Sequence, residues 1–223
     1  MPMPGSLIGS VVRPADVFES GIDPRDIAFD VDSVFAQTMN LFVKLVNDRF
    51  GPGYLRYEDI TSYYLADCLN LDDQVIMELI TLLIEKPIEV NLACYPGAPH
   101  VINQISRQAD ILFVTARTTA EPIRDWIQHV LPEVDPAKIE VIATADHELK
   151  PGVLLEHGKK YFVDDRLETC VLLEEHGIMP IVFDQPWNRT DARFPRVGNW
   201  PEIASLLDLT PGPKPMGSRR AEK

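Results

Sequence analysis

At 223 residues and 25.1 kDa, the chain is long enough for one large domain, or for a core with a smaller insertion. Acidic residues outnumber basic ones 34 to 21, a formal charge of −13 at pH 7, which argues against a nucleic-acid polymer as partner because such binding needs basic patches to neutralise phosphates. With 45% hydrophobic residues the composition is that of a packed globular protein and excludes a disordered one.

The three cysteines, Cys68, Cys94 and Cys170, form no CxxC pair, so they read as reduced, buried thiols of a cytoplasmic protein. No cationic segment followed by an apolar stretch opens the chain, and the apolar windows near 42–46 and 75–84 are too short to span a bilayer. Neither export nor a membrane partner is expected.

Residues 1–25 are rich in Pro and Gly and read as an irregular lead-in. Five short apolar runs follow: Asp26–Asp30, Asp110–Thr115, Lys138–Ala143, Lys160–Asp164 and Pro180–Asp184, each the length of a buried strand. Helical patterns separate the later ones. Glu121–Val130 carries proline in its first turn and Arg166–His176 stops at Gly177, ordinary helix punctuation. Strands alternating with helices predict an α/β fold with a parallel five-stranded sheet, in which ligands sit beyond the carboxyl ends of the strands.

The stretch between the first two strands, Phe35 to Asp110, is too long for one crossover helix. It reads as helices at Val34–Phe50, Tyr57–Leu69, Asp72–Glu85 and Gly97–Gln108, giving a helical cap over residues 35–108 and a core of 26–34 plus 109–209. The Pro- and Gly-rich residues 210–223 read as a disordered tail.

The strand ends carry the chemistry. Asp30 and Asp32 close the first strand, Thr115 the second, and Asp164 and Asp165 the fourth, with Lys150 in the segment before it. Two carboxylates about 4 Å apart repel by ~4 kcal/mol at an effective dielectric near 20, so such crowding calls for a cation. Oxygen-only ligands point to a hard divalent ion, and Mg2+ characteristically joins one or two carboxylates to a substrate phosphate. Singly, each residue has an ordinary alternative as a cap, a turn or a solvated lysine. Their joint arrangement at successive strand ends favours a Mg2+ and phosphate site.

Four segments, in order, resemble the motifs of the haloacid dehalogenase-like (HAD) hydrolase superfamily. FDVDSVF at 29–35 is similar to its D-x-D motif, FVT at 113–115 to its second, Lys150 to its third, and FVDD at 162–165 to its acidic fourth. The resemblance covers about residues 26–190 and implies a Rossmann-like core with strand order 5-4-1-2-3. It implies that Asp30 attacks phosphorus to form an aspartyl phosphate and that Asp32 serves as acid, then base. Thr115 and Lys150 would hold the substrate phosphate; Ala116 and Arg117, which follow Thr115, are placed beside it, the guanidinium to meet a phosphate or carboxylate, with a surface ion pair as its alternative. Mg2+ would be bound by Asp30, the Asp32 backbone carbonyl and Asp164, with Asp165 as a nearby ligand or water holder. An acid at position 32 favours phosphoester over carbon–halogen cleavage, and the Asp pair on the fourth strand, with lysine before it, differs from a receiver domain.

Two departures stand out. Ser33 occupies a position where many phosphatases have glycine, and Lys159 and Lys160 compete with Lys150, though they start the fourth strand at the opposite edge. Cap and DD motif together look most like the 5'(3')-deoxyribonucleotidase branch, so the expected substrate is a small phosphorylated metabolite, a nucleoside monophosphate before a sugar phosphate. Phosphotransferase or phosphomutase activity, and a non-enzymatic phosphate-binding module, remain as alternatives; monomer and homodimer are both open. Cap aromatics (Phe35, Phe42, Phe50, Tyr54, Tyr57, Tyr63, Tyr64) offer stacking surfaces for a base. Arg166 and Trp187 are placed near the site, and the five histidines, lacking metal-ligand spacing, receive no role.

Overall fold

The computed structural model describes residues 21–209; the readings of residues 1–20 as lead-in and of 210–223 as tail fall outside them. Six parallel strands, β1 (Ile27–Phe29), β2 (Ile111–Thr115), β3 (Ile139–Ala143), β4 (Tyr161–Asp164), β5 (Met179–Phe183) and β6 (Arg196–Val197), form one sheet in the order β3-β2-β1-β4-β5-β6. The expected order is present with one strand more than the five predicted. The addition, β6, is two residues long and pairs Val197 with Phe183 at the sheet edge, too short to show as an apolar run in sequence.

The inner strands β1, β2 and β4 are buried on both faces, and the period of two distributes their residues. Ile27, Phe29, Ile111 and Phe113 face a layer made by helices α3 (Ala98–Ser106), α4 (Glu121–Val130) and α7 (Trp200–Leu206), while Ala28, Leu112, Val114 and Phe162 face α5 (Lys150–Glu156) and α6 (Leu167–Glu175). In the first layer Trp126 donates to Leu92 O and Trp200 to Val34 O, at 2.8 and 2.9 Å. The second bond fixes the loop after β1. At the near end of the described chain, Ile22 pairs with Leu207, so residues 21–25 are tied to the carboxyl-terminal segment.

Helices α1 (Thr38–Phe50) and α2 (Asp73–Glu85) build a separate apolar cluster through Phe42, Val46, Ile76, Leu79 and Leu83. Helix α3 packs instead in the sheet's cluster, together with Phe35, Ala36 and Leu92. Helix α1 begins four residues later than the sequence predicts, because the amides of Ser33, Ala36 and Gln37 bond Ala36 O, Val31 O and Ala93 O in a tight turn.

The predicted helix at 57–69 is replaced by two single 3-10 turns, Tyr57–Asp59 and Leu65–Asp67. Its buried residues Ile60, Leu65 and Leu69 do not keep a helical spacing, and side chains divert the backbone: the amide of Arg56 bonds Asp59 and that of Tyr64 bonds Ser62. Among the cysteines only Cys170 is buried; Cys68 and Cys94 are partly exposed, and all three are free thiols. Among the described residues no helix is long and apolar enough to cross a membrane.

Candidate active site

Asp30 follows the last residue of β1, Thr115 ends β2, and Asp164 ends β4 with Asp165 after it. β1 pairs in parallel with both β2 and β4, so these residues meet at one edge of the sheet. Lys150, the first residue of α5, is fully buried and donates to Asp30 Oδ1 at 3.0 Å and Asp164 Oδ2 at 2.8 Å. Lys159 and Lys160 bond Arg25 O and Asp26 at the far end of the sheet. Only Lys150 of the three reaches this cluster.

Carboxylate oxygens of Asp30, Asp164 and Asp165 lie within 4.8 Å of one another, and all three residues are buried. Burial pushes the Asp30 carboxyl up to about 7, Lys150 opposing the shift and the charges of Asp164 and Asp32 adding to it. Burial and the charges of Asp164 and Asp30 also raise Asp165, against Lys150 and the hydrogen bond from Trp187. Burial opposes the Lys150 ammonium, but Asp164 and Asp30 overcome it and raise its pKa. One ammonium thus faces three buried carboxylates, and an all-oxygen donor set with surplus negative charge fits a hard divalent cation.

Asp32 stands apart from that trio. Burial opposes its ionisation, yet the Arg117 charge, the hydrogen bonds from Arg117 and a bond from Thr38 hold its pKa below the ordinary value. Arg117 Nε and Nη2 donate to the two oxygens of Asp32 at 2.9 and 2.8 Å, and Thr38 Oγ1 donates at 2.6 Å. Ser33 follows with φ of 59°, the left-handed region that favours glycine.

A cavity of about 410 Å3 opens over this edge and beneath α1 and α2. Its floor includes Asp30, Asp32, Thr115, Ala116, Arg117 and Asp165; its roof and walls are mostly apolar, with Met39, Ile60, Leu65, Ile76, Ile80 and Leu83, and carry polar groups at Thr38, Ser62 and His147. Of the seven cap aromatics, Tyr63 and Tyr64 line it. Phe35 and Phe42 are core residues, Phe50 and Tyr54 stack on each other at the surface, and Tyr57 bonds Gln185 at 2.5 Å.

Residues 25–210 match the model of the family described as 5' nucleotidase, deoxy (pyrimidine), cytosolic type C protein. The chain belongs to this family. Among relatives of the nucleotidase-family chain are 5'(3')-deoxyribonucleotidases of Bacillus subtilis (strain 168) and Bacillus phage SPbeta, each 25% identical over 185 residues, covering 81% of this chain and 97% of the relative. In fold it is similar to a haloacid dehalogenase-like family hydrolase of Streptococcus pneumoniae (TM-score 0.53, 14% identity, 76% of this chain and 91% of the other). A HAD-superfamily hydrolase of subfamily IA from Geobacter sulfurreducens gives 0.50 at 15% identity, covering 81% and 98%. This member of the nucleotidase family is a HAD-type hydrolase of phosphoric monoesters, and its substrate is a phosphorylated small molecule.

Several neighbours of the site in this family member carry weak sequence signals. Trp187, in the loop after β5, donates from Nε1 to Asp165 Oδ2 at 3.0 Å. His147, whose spacing to the other histidines gives no metal-ligand pattern, lines the cavity and meets Tyr63 Oη at 3.1 Å. Arg166 lies over the Tyr63 ring, 5.1 Å from its centroid. Gln185 donates to Ser33 O at 2.7 Å. The clue for His147 is its place in the loop between a strand end and Lys150; Thr38 and Gln185 have none, because their partners are set by tertiary packing.

Proposed function

We propose that this hydrolase is a Mg2+-dependent nucleoside monophosphate phosphatase working through an aspartyl phosphate on Asp30. The observation that carries the reading is the meeting of Asp30, Asp164, Asp165 and Lys150 under a largely apolar cavity. Asp30, Asp164 and Asp165 would hold the ion; the Asp32 backbone carbonyl is a further candidate. When bound, Mg2+ supplies positive charge that neutralises the phosphoryl oxygens.

Asp30 attacks phosphorus, forming a carboxyl O–P bond as the ester P–O bond breaks. Asp32, held ionised in the free protein against its burial by Arg117 and Thr38, takes up a proton when the phosphate dianion enters beside it and gives it to the departing alkoxide. It then takes one from the water whose attack breaks the Asp30 O–P bond and releases phosphate. Lys150 holds Asp30 and Asp164 in place and offsets their charge. Thr115 and the Ala116 segment hold phosphoryl oxygens at the end of β2. Residues 38–90, carrying α1 and α2, serve as the cap that receives the leaving group. The names of the relatives and the largely apolar walls of the cavity, with the rings of Tyr63 and Tyr64 among them, favour a nucleoside, whose base offers a flat apolar face, over a simple sugar.

Phosphate release from nucleoside 5'- and 3'-monophosphates and sugar phosphates, with Mg2+ or EDTA, tests this reading beside Asp30→Asn. Expected is Mg2+-dependent release, fastest with a nucleotide and absent in the variant. Release unaffected by Asp30→Asn would overturn the mechanism, and preference for a sugar phosphate the substrate.

A further inference from the structure

Arg117 is 5% exposed, and its guanidinium is committed at three points. Nε and Nη2 grip Asp32 side-on, and Nη1 donates at 2.8 Å to the carbonyl of Ile84. Ile84 lies in the last turn of α2, where carbonyls lack intrahelical partners and a cation is favoured. One buried side chain therefore joins the carboxyl end of a cap helix to the second aspartate of the D-x-D segment. The Asp32 side chain is itself 32% exposed, on the floor of the cavity.

We infer that Arg117 is a positioning residue for Asp32, holding the carboxylate at an angle set by the cap, rather than a ligand of the substrate phosphate. A planar fork with two bonds to one carboxylate fixes its orientation in a way that a single contact does not. Turning Arg117 toward a phosphate would leave Asp32 with the Thr38 hydroxyl as its remaining side-chain donor and without its counter-charge, and would take the side-chain donor from the Ile84 carbonyl. The contact to Ile84 ties the acid to α2, which lines the cavity through Ile76, Ile80 and Leu83. The leaving group's seat and the proton donor thus move as one unit.

This rests on Asp32 being the proton donor, and the test separates the two ideas. kcat/KM, which reports the steps through cleavage of the ester bond, is measured over substituted phenyl phosphates graded in leaving-group pKa, for the wild type, Asp32→Asn, Arg117→Met, Arg117→Lys and Arg117→Met with Asp32→Asn. Asp32→Asn should lose about 10²–10⁴-fold on the poorest leaving group and little on p-nitrophenyl phosphate. Arg117→Met should steepen the dependence in the same sense, roughly ten- to a hundredfold at the poor end, and add little to Asp32→Asn, as expected of two residues in one interaction. Arg117→Lys preserves the buried charge, so it should show the same selectivity if the methionine variant does not fold. An equal rise in KM and in the inhibition constant of inorganic phosphate across the series would overturn the inference in favour of a phosphate ligand. A uniform loss with a lowered melting temperature would overturn it in favour of a structural role. If Asp32→Asn itself shows no leaving-group selectivity, the acid assignment fails; if it does and neither arginine variant follows it, the inference alone fails.

Discussion

Lys150 donates to Asp30 at 3.0 Å from a position 120 residues away in sequence and with no solvent exposure, so the ammonium is a structural part of the carboxylate cluster. Lys150→Ala would leave Asp30 and Asp164 buried without their counter-charge. Breaking a buried pair in this way costs about 3–5 kcal/mol. Urea denaturation should show a loss of that size, partly recovered by added Mg2+, with phosphate release abolished. A loss below about 1 kcal/mol would mean that the cluster relaxes by admitting water.

Divalent ion binding should be visible without any substrate. Three buried carboxylates outnumber their ammonium, so Mg2+ added to the folded protein relieves repulsion and stabilises by about 2.7 kcal/mol at a hundredfold excess over its dissociation constant. The melting temperature should rise with Mg2+ in the wild type and stay flat in Asp164→Asn and Asp165→Asn. An equal rise in both variants would place the ion elsewhere.

The strand–helix core was readable because burial leaves a period-two or continuous apolar run in each strand, and because Pro122 and Gly177 punctuate the helices. Asp30, Thr115, Lys150 and Asp164 were readable because strand ends in a parallel sheet must share an edge. The turns at 57–67 were not: aromatic and apolar residues there are held by the cap cluster rather than by local propensity, and an apolar-rich stretch without breakers imitates a helix. Arg117 was singled out by its place after Thr115, whereas its grip on Asp32 and Ile84 depends on where the cap sits, which no local pattern encodes. The same holds for Gln185, whose partners Tyr57, Tyr95 and Ser33 lie in three separate segments.

Gln185 gives a third prediction. It is 2% exposed, donating to Ser33 O and Tyr95 Oη at 2.7 Å and accepting from Tyr57. Gln185→Leu would leave the Ser33 carbonyl without that donor, at about 1–3 kcal/mol for a buried polar group. Hydrogen exchange should accelerate in residues 31–37 and around Tyr57. Unchanged exchange in both segments would show that the network is redundant.

Ser33 offers a gain rather than a loss. At φ of 59°, a side chain costs roughly 1–2 kcal/mol that glycine avoids, while glycine adds about 0.5–1 kcal/mol of unfolded-chain entropy. Ser33→Gly should therefore stabilise by up to about 1.5 kcal/mol, and Ser33→Val should destabilise. Thermal denaturation of the pair checks the sign, and a less stable glycine variant would show that the serine hydroxyl outweighs the backbone strain.

His147 adds a pH dependence. Burial, with Lys150 and Arg166, lowers its pKa from 6.5 to about 4, against the smaller opposing pull of Asp164 and Asp146, and Tyr63 faces its Nε2. A depressed histidine pKa means that the unfolded chain binds its proton first as pH falls. Its contribution to stability is therefore fully present above about 6.5, declines between 6.5 and 4, and is lost below. Asp30 and Asp165, with raised values, change stability in the opposite sense over acid pH, so the comparison must be a difference. The wild type should lose more stability than His147→Gln between pH 6.5 and 4 and run parallel to it above 7. Parallel curves through the acid range would mean that the imidazole takes up its proton in place, with Tyr63 turning aside to let it.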